Sequence, residues 1–266
     1  MELKFWNHNI IDLDSENDFQ QDKDLSVLAN AVDFLNIKLA KKLPHETNVL
    51  EVGCGVQSIF YDNILNKDNW AGIDVFEENE NGVKTIATKI ASVEHIPYQN
   101  NYFDYILSNQ SIEHWREYGV DPVAGLTEIR RVSKKDGKII INFPIHLHGD
   151  KIFVKGDFKK IDNCFVAAGL KIINKTAVIN SSIPNYKGWN LCGFPDFYVR
   201  SLSNNEETSY VVEYEATPIE NATPIIKDFK KDIPIKKRQN IFSLNAHHGL
   251  IYLAWKIFNK IKTKIR

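Results

Sequence analysis

Short apolar segments that alternate with amphipathic ones are the feature that most limits what this chain can fold into. Residues 48–52 (NVLEV), 70–75, 102–109 (YFDYILSN), 138–143 (KIIINF) and 170–179 read as strands, with 89–93 a weaker one. Helical patterns fall between them. Residues 121–133 carry Leu126, Ile129 and Val132 on one face, and a helix over 158–168 is stopped by Gly169. An earlier helix begins near Asp24, aligns Leu25, Leu28, Val32, Leu35 and Leu39, and stops before Pro44. Apolar strands without polar alternation are buried on both faces, and helices between them cover those faces. The expected class is therefore α/β, a doubly wound, mostly parallel sheet with helices on both sides. Within it, Asp136–Gly137 is expected to turn the chain and Pro144 to halt the KIIINF strand.

Beyond residue 180 the alternation ends. Residues 181–206 are aromatic and turn-rich, which fits a loop or lid, and 210–214 (YVVEY) fits a last strand. The organisation expected is a lead-in and helix over 1–46, a domain over 47–216 with the insertion at about 181–206, and a tail over 217–266. That tail is a proline-bearing connection followed by a basic amphipathic helix from about His248.

Charge excludes one large class of partners. With 33 Lys and Arg against 34 Asp and Glu the net charge is -1, whereas phosphate-backbone binding needs a basic excess. The three cysteines, Cys54, Cys164 and Cys192, have no metal-like spacing and suit reduced thiols, hence a cytoplasmic setting. The N-terminus lacks a secretory pattern, and no apolar run has the length of a membrane span.

The turn after the first buried strand carries the chemistry. Gly53 and Gly55 form the G-x-G half of a nucleotide-binding fingerprint, but Gln57 and Ser58 stand where a third small residue would complete it. Glycines there let a ligand approach the backbone at the carboxyl ends of the strands. Asp74 closes the next strand, where its carboxylate can accept from ribose hydroxyls. Glu51 is expected at the mouth of the turn. A pyrophosphate beside it would face a like charge, whereas an amino group and a sulfonium would be stabilised. S-adenosylmethionine has both and no phosphate.

NVLEVGCG, GIDV, IPYQNNYFDYILSNQSIEHW and EIRRVSKKDGKIIINFP, in that order over about 48–179, resemble class I S-adenosylmethionine-dependent methyltransferases, more narrowly their type-11-like, small-molecule branch. The resemblance implies a seven-stranded Rossmann-like sheet whose last strand is antiparallel. It implies S-adenosylmethionine as cofactor and S-adenosylhomocysteine as product. Glu51, Val52, Gly53, Cys54 and Gly55 would hold the methionine part, Asp74 and Val75 the ribose, and Ser92 and Val93 the adenine. Asn109 and Gln110 would close the pocket below the methyl group. Ser92 departs from the family's usual Asp, so Glu94 is a second candidate for the adenine amine. The stretch after Asp74, broken by Asn81–Gly82, is expected to hold at most a vestigial helix.

Methyl transfer to a hydroxyl needs a base, most often His. His114, after the fourth strand, is the candidate; a purely structural Glu-His pair is the alternative. His146 and His148, in FPIHLHGD, and Trp115 are expected on the acceptor side. The H-x-H-x-D run through Asp150 also has the residue types of a metal site, with His114 as an extra ligand. Hydrogen-bonded surface groups account for it as well, and no metal is assigned. Tyr118, Tyr186, Trp189, Phe194, Phe197 and Tyr198 either wall an acceptor pocket or pin the loop.

The function expected is methylation, on oxygen, of a small polar metabolite or glycan precursor. The alternatives are N-methylation, or a non-catalytic S-adenosylmethionine-binding module acting through a partner. The C-terminal helix suits docking on the domain, an anionic membrane surface at the inner face, or a dimer contact, so a monomer and a homodimer both stand.

Overall fold

The computed structural model describes residues 11–12, 27–145, 147–181, 188–193 and 210–219. Nine strands form one sheet: β1 (Ile11–Asp12), β2 (Val49–Val52), β3 (Trp70–Asp74), β4 (Lys89–Ile90), β5 (Phe103–Asn109), β6 (Ser133–Ile145), β7 (Leu170–Ser181), β8 (Gly188–Gly193) and β9 (Tyr210–Pro218). Their spatial order is β1-β8-β7-β9-β6-β5-β2-β3-β4. Strands β2 to β6 pair in parallel, and β9 runs antiparallel between β6 and β7. The seven strands from β4 to β7 are the doubly wound sheet the sequence implies, antiparallel last strand included. β8 and β1 extend it at one edge by antiparallel pairing.

Helices α1 (Val27–Lys42), α2 (Ile59–Asn63), α3 (Pro122–Val132), α4 (Lys151–Val154) and α5 (Phe158–Ala167) cover both faces. Period-two alternation divides the strands between two cores. Leu50, Val52, Ile106, Ile139 and Ile141 enter the larger core with Leu126, Ile129 and Phe165. Val49, Leu107 and Ile140 enter the smaller one with Ala40, Leu43 and Phe60. Local chemistry sets the helix starts: Asp121 caps α3 at the Val123 N–H with Pro122 in the first turn, and Asp157 caps α5 at Lys160. The Arg131 guanidinium, buried with Glu128, also donates to the Tyr98 and Ile96 carbonyls and to Asn100, tying α3 to the chain ahead of β5.

Three local expectations are corrected. Pro144 does not end β6, which continues to Ile145. The ladder to β5 stops at Asn142, so Pro144 has one flanking strand and an open side for a residue without an N–H. Asp136–Gly137 lies within β6, where the register against β5 shifts between Phe103 and Tyr105 and absorbs extra residues as a bulge. Residues 188–193, expected in a loop, pair with the far half of β7. The stretch after Asp74 has no helix among the described residues; Glu78 bridges Lys84 around Gly82 instead. The acidic lead-in apart from Asp12, most of the 181–206 insertion, the connection beyond residue 219 and the C-terminal helix lie outside the described residues. No helix among the described residues is long and apolar enough to cross a membrane.

Candidate active site

Four parallel strands, β2 to β5, end around a cavity of about 210 Å³. The turn after β2 contributes Val52, Gly53 and Gly55; the end of β3 contributes Ile73, Asp74, Val75 and Phe76. Ala91, Ser92 and Val93 follow β4, and Gln110, Ser111, His114, Trp115, Tyr118 and Val120 follow β5. The switch point between β2 and β5, where successive crossovers leave in opposite directions, is where such sheets bind ligands.

Tight backbone bonding holds the turn. The Gly53 and Cys54 N–H groups both donate to the Ile73 carbonyl, at 2.9 and 3.3 Å. Gly53 is left-handed (φ 74°), and a Cβ there would stand 2.5 Å from Ser111 Oγ, so only glycine fits. Gly55 N donates to Asp74 Oδ2 at 2.9 Å and Val75 N to Asp74 Oδ1 at 2.7 Å. Asp74 is thereby fixed on the cavity wall, and its carboxylate keeps lone-pair capacity for a hydroxyl. Burial raises its pKa, while the N–H bonds from Gly55, Val75 and Phe76 hold it down.

Glu51 is not at the mouth of the turn. On β2 it shares a side with Val49, away from Leu50 and Val52, so its side chain passes beneath the turn, where it is 2% exposed. Ser58 Oγ lies 2.8 Å from each carboxylate oxygen, and the Trp70 indole N–H and Asn109 Nδ2 donate at 3.0 and 3.3 Å. Burial pushes the carboxyl up to about 7 against those hydrogen bonds. Ser58 also caps α2 at the Tyr61 N–H, so the residue in the missing glycine's place joins Glu51 to the helix start. Two other expected cofactor residues also leave the wall. The Cys54 side chain packs in the smaller core, and burial, with Glu51 and Asp74 adding to it, pushes its thiol up to about 12. Asn109 spends its amide between Glu51 and Asn142.

Sequence reasoning passed over the side chain of Gln110 as a donor and the burial of Glu113. Gln110 has φ 42°, and its buried Nε2 has no hydrogen-bond partner among the described residues. A buried donor without an acceptor costs free energy until a ligand supplies one. Bare glycine backbone, a fixed Asp carboxylate and this waiting amide fit a cofactor carrying ribose hydroxyls and a carboxylate. Ser92 and Val93 lie on the wall as expected. Glu94 does not; its carboxylate lies 3.9 Å from His95.

A 3₁₀ helix, Ile112–Tyr118, follows β5. Ile112 and Trp115 are buried, and the Trp115 indole donates to Ser111 Oγ at 2.9 Å while its ring packs over Gly125. Trp115 is thus both core and wall. His114 Nδ1 lies 3.1 Å from Glu117 Oε1, and Nε2 lies 3.9 Å from Glu113 Oε1. Burial lowers the His114 pKa, but the Glu117 hydrogen bond and the charges of Glu113 and Glu117 outweigh it and raise it. Glu113 is fully buried, neither carboxylate oxygen has a hydrogen-bond partner among the described residues, and desolvation pushes it up to about 7.

His148 stacks on His114, with ring centroids 5.0 Å apart and planes 17° from parallel. His146 lies outside the described residues, as do the side chains of Tyr186, Trp189, Phe194, Phe197 and Tyr198. Asp150 takes no part in the cluster: it caps α4 at Ile152 and pairs with Arg116 at 3.1 Å.

Residues 50–141 match the type 11 family described as "Methyltransferase domain". The match runs from β2 into β6, and the methyl donor that this family implies is S-adenosylmethionine. It is 31% identical over 106 residues to an uncharacterized protein of Methanocaldococcus jannaschii, covering 39% of this chain and 44% of that one. It is 34% identical over 59 residues to the uncharacterized protein YafE of Escherichia coli, covering 22% and 27%. The chain thus spans less than half the length of these curated relatives. Among solved structures it is similar to an S-adenosylmethionine-dependent methyltransferase from Aquifex aeolicus, with a TM-score of 0.41 and 19% identity over 68% of this chain and 88% of that one.

Proposed function

We propose that this chain methylates a hydroxyl of a small polar metabolite or glycan precursor, using S-adenosylmethionine. The observation that carries the reading is the convergence on one cavity of the Gly53–Gly55 turn, the fixed Asp74 carboxylate and the unpartnered Gln110 amide. Asp74 would take the ribose hydroxyls, Val93 the adenine, and Gln110 a carboxylate. Glu51 serves from below, fixing Ser58 and Asn109 and with them the shape of the turn. Bound S-adenosylmethionine supplies a methyl carbon on a sulfonium, open to in-line attack by the acceptor oxygen, with S-adenosylhomocysteine leaving.

The chain's own part is to orient the acceptor, exclude water and take one proton. Glu117 is an acceptor only, so in the neutral imidazole, the form present above its raised pKa, His114 Nδ1 carries the hydrogen that Glu117 receives and Nε2 keeps a lone pair for the hydroxyl proton. Trp115 and Tyr118 wall this side of the cavity. A small acceptor agrees with the modest volume and the net charge of -1.

Calorimetry with S-adenosylmethionine, followed by detection of S-adenosylhomocysteine released against metabolite fractions, tests the reading. Binding with release by at least one fraction is the expected result, and no binding overturns it. His114→Ala should lower turnover and spare cofactor affinity. Unchanged turnover would remove the base and favour a nitrogen acceptor.

A further inference from the structure

We propose that Glu113, His114 and His148 form a divalent transition-metal site on the acceptor side of the cavity. Their ligand atoms all lie within 4.8 Å of one another. Two imidazoles and a carboxylate suit zinc and its first-row neighbours, and three protein ligands leave coordination positions open. Donor atoms around such an ion stand roughly 3–3.5 Å apart, so side-chain rotations of about 1 Å close the set.

Two independent observations single these residues out. Glu113 has both carboxylate oxygens buried and without hydrogen-bond partners among the described residues, close to the two histidines. A buried carboxylate left in that state is costly, and a cation is the ligand that offsets it most directly. His114 also has the outer support typical of a metal ligand: its other ring nitrogen bonds the Glu117 carboxylate, leaving the Nε2 lone pair toward Glu113.

The third ligand is brought in by tertiary structure. The Asp150 N–H donates to the Glu113 carbonyl at 2.7 Å, docking the loop after β6 onto the 3₁₀ helix. Gly149 between them has φ 88°, and a Cβ there would stand 2.7 Å from that carbonyl oxygen. The loop can approach this closely only with glycine at that position, and the approach sets His148 against His114.

What the cation does rests on the methyl-transfer reading; that it binds does not. An acceptor hydroxyl at an open position forms an oxygen–metal bond and releases its proton to water, giving a metal-bound alkoxide for methylation. Proton and cation compete for His114 Nε2, so in the loaded protein the metal takes over the activation that the imidazole performs alone.

The test is titration of the untagged, metal-stripped full chain with Co2+, followed by visible absorption and calorimetry, with S-adenosylmethionine affinity measured on the same samples. One Co2+ per chain is expected, with Glu113→Gln and His148→Ala each weakening it at least 100-fold. Glu117→Gln should weaken it about 10-fold, and His95→Ala should leave it unchanged. No stoichiometric binding by the native chain, or native affinity in either ligand variant, overturns the site. Intact S-adenosylmethionine binding in such a protein would leave the methyltransferase reading standing, so the two fail separately. If Glu113→Gln misfolds by circular dichroism, His148→Ala decides alone.

Discussion

Glu51→Gln gives a quantitative test of the arrangement under the turn. The native carboxyl is buried with three donors around it and has a pKa of about 7, against 4.5 for an ordinary Glu. Below pH 4.5 it is protonated folded and unfolded alike, and burial costs nothing through its charge. As pH rises the unfolded chain ionises first and the folded protein binds the extra proton, so stability is lost up to and through about 7. Between pH 5 and 8 the loss attributable to this group is roughly 2–3 kcal/mol. Gln cannot ionise. Its NH2 group meets the Trp70 and Asn109 donors badly, but that mismatch is independent of pH and cancels in the comparison. Urea unfolding of cofactor-free native and variant proteins at pH 5 and 8 should therefore show the difference in their stabilities moving toward the variant by that amount. Parallel pH profiles would refute the reasoning, because they would mean that Glu51 ionises as freely folded as unfolded.

Gly53→Ala should abolish cofactor binding in calorimetry, since its Cβ collides with Ser111 and its left-handed φ strains any other residue; it should also lower unfolding stability by about 1–3 kcal/mol. Asp74→Ala should weaken S-adenosylmethionine at least tenfold, measured by calorimetry, while Asp74→Asn, which can still accept from Gly55 N–H, should lose less. Arg131→Met should destabilise by about 3–5 kcal/mol in urea unfolding, because it leaves Glu128 charged and buried without its partner. Tyr214→Phe should cost about 1 kcal/mol, through loss of the hydroxyl's bond to Asp162.

The sheet was legible because its evidence is local. A buried parallel strand such as β2 is apolar at every position but Glu51, and a helix such as α3 shows its cap and its face within the twelve residues from Asp121 to Val132. The Gly53–Gly55 turn was legible for the same reason, since G-x-G and the Asp ending the next strand are short-range features. What depended on partners far along the chain was not. Glu51 was expected at the surface of the turn, although the period of two along β2 already sends it to the Val49 side. Trp70, 19 residues away, then supplies one of its donors. Glu113 is buried because Gly149, 36 positions later, lets another loop pack over it. The spacing of Ile112 and Trp115, one 3₁₀ turn apart, is the one local sign that SIEHW packs inward. GWNLCG has no run of β-branched residues to mark it as a strand, and only pairing with β7 makes it one.

The direction of β7 has a further consequence. β6 and β7 both run antiparallel to β9, so the far end of β7 at Ser181 lies on the same edge of the sheet as the cofactor turn. β9 begins at Tyr210 opposite Ile145 and Ile179, on that same edge. The chain therefore leaves β7 and enters β9 at the carboxyl edge of the parallel strands, the edge on which the cavity lies. The sequence between Gly193 and Tyr210 can therefore be changed on that edge without altering any described residue that lines the cavity.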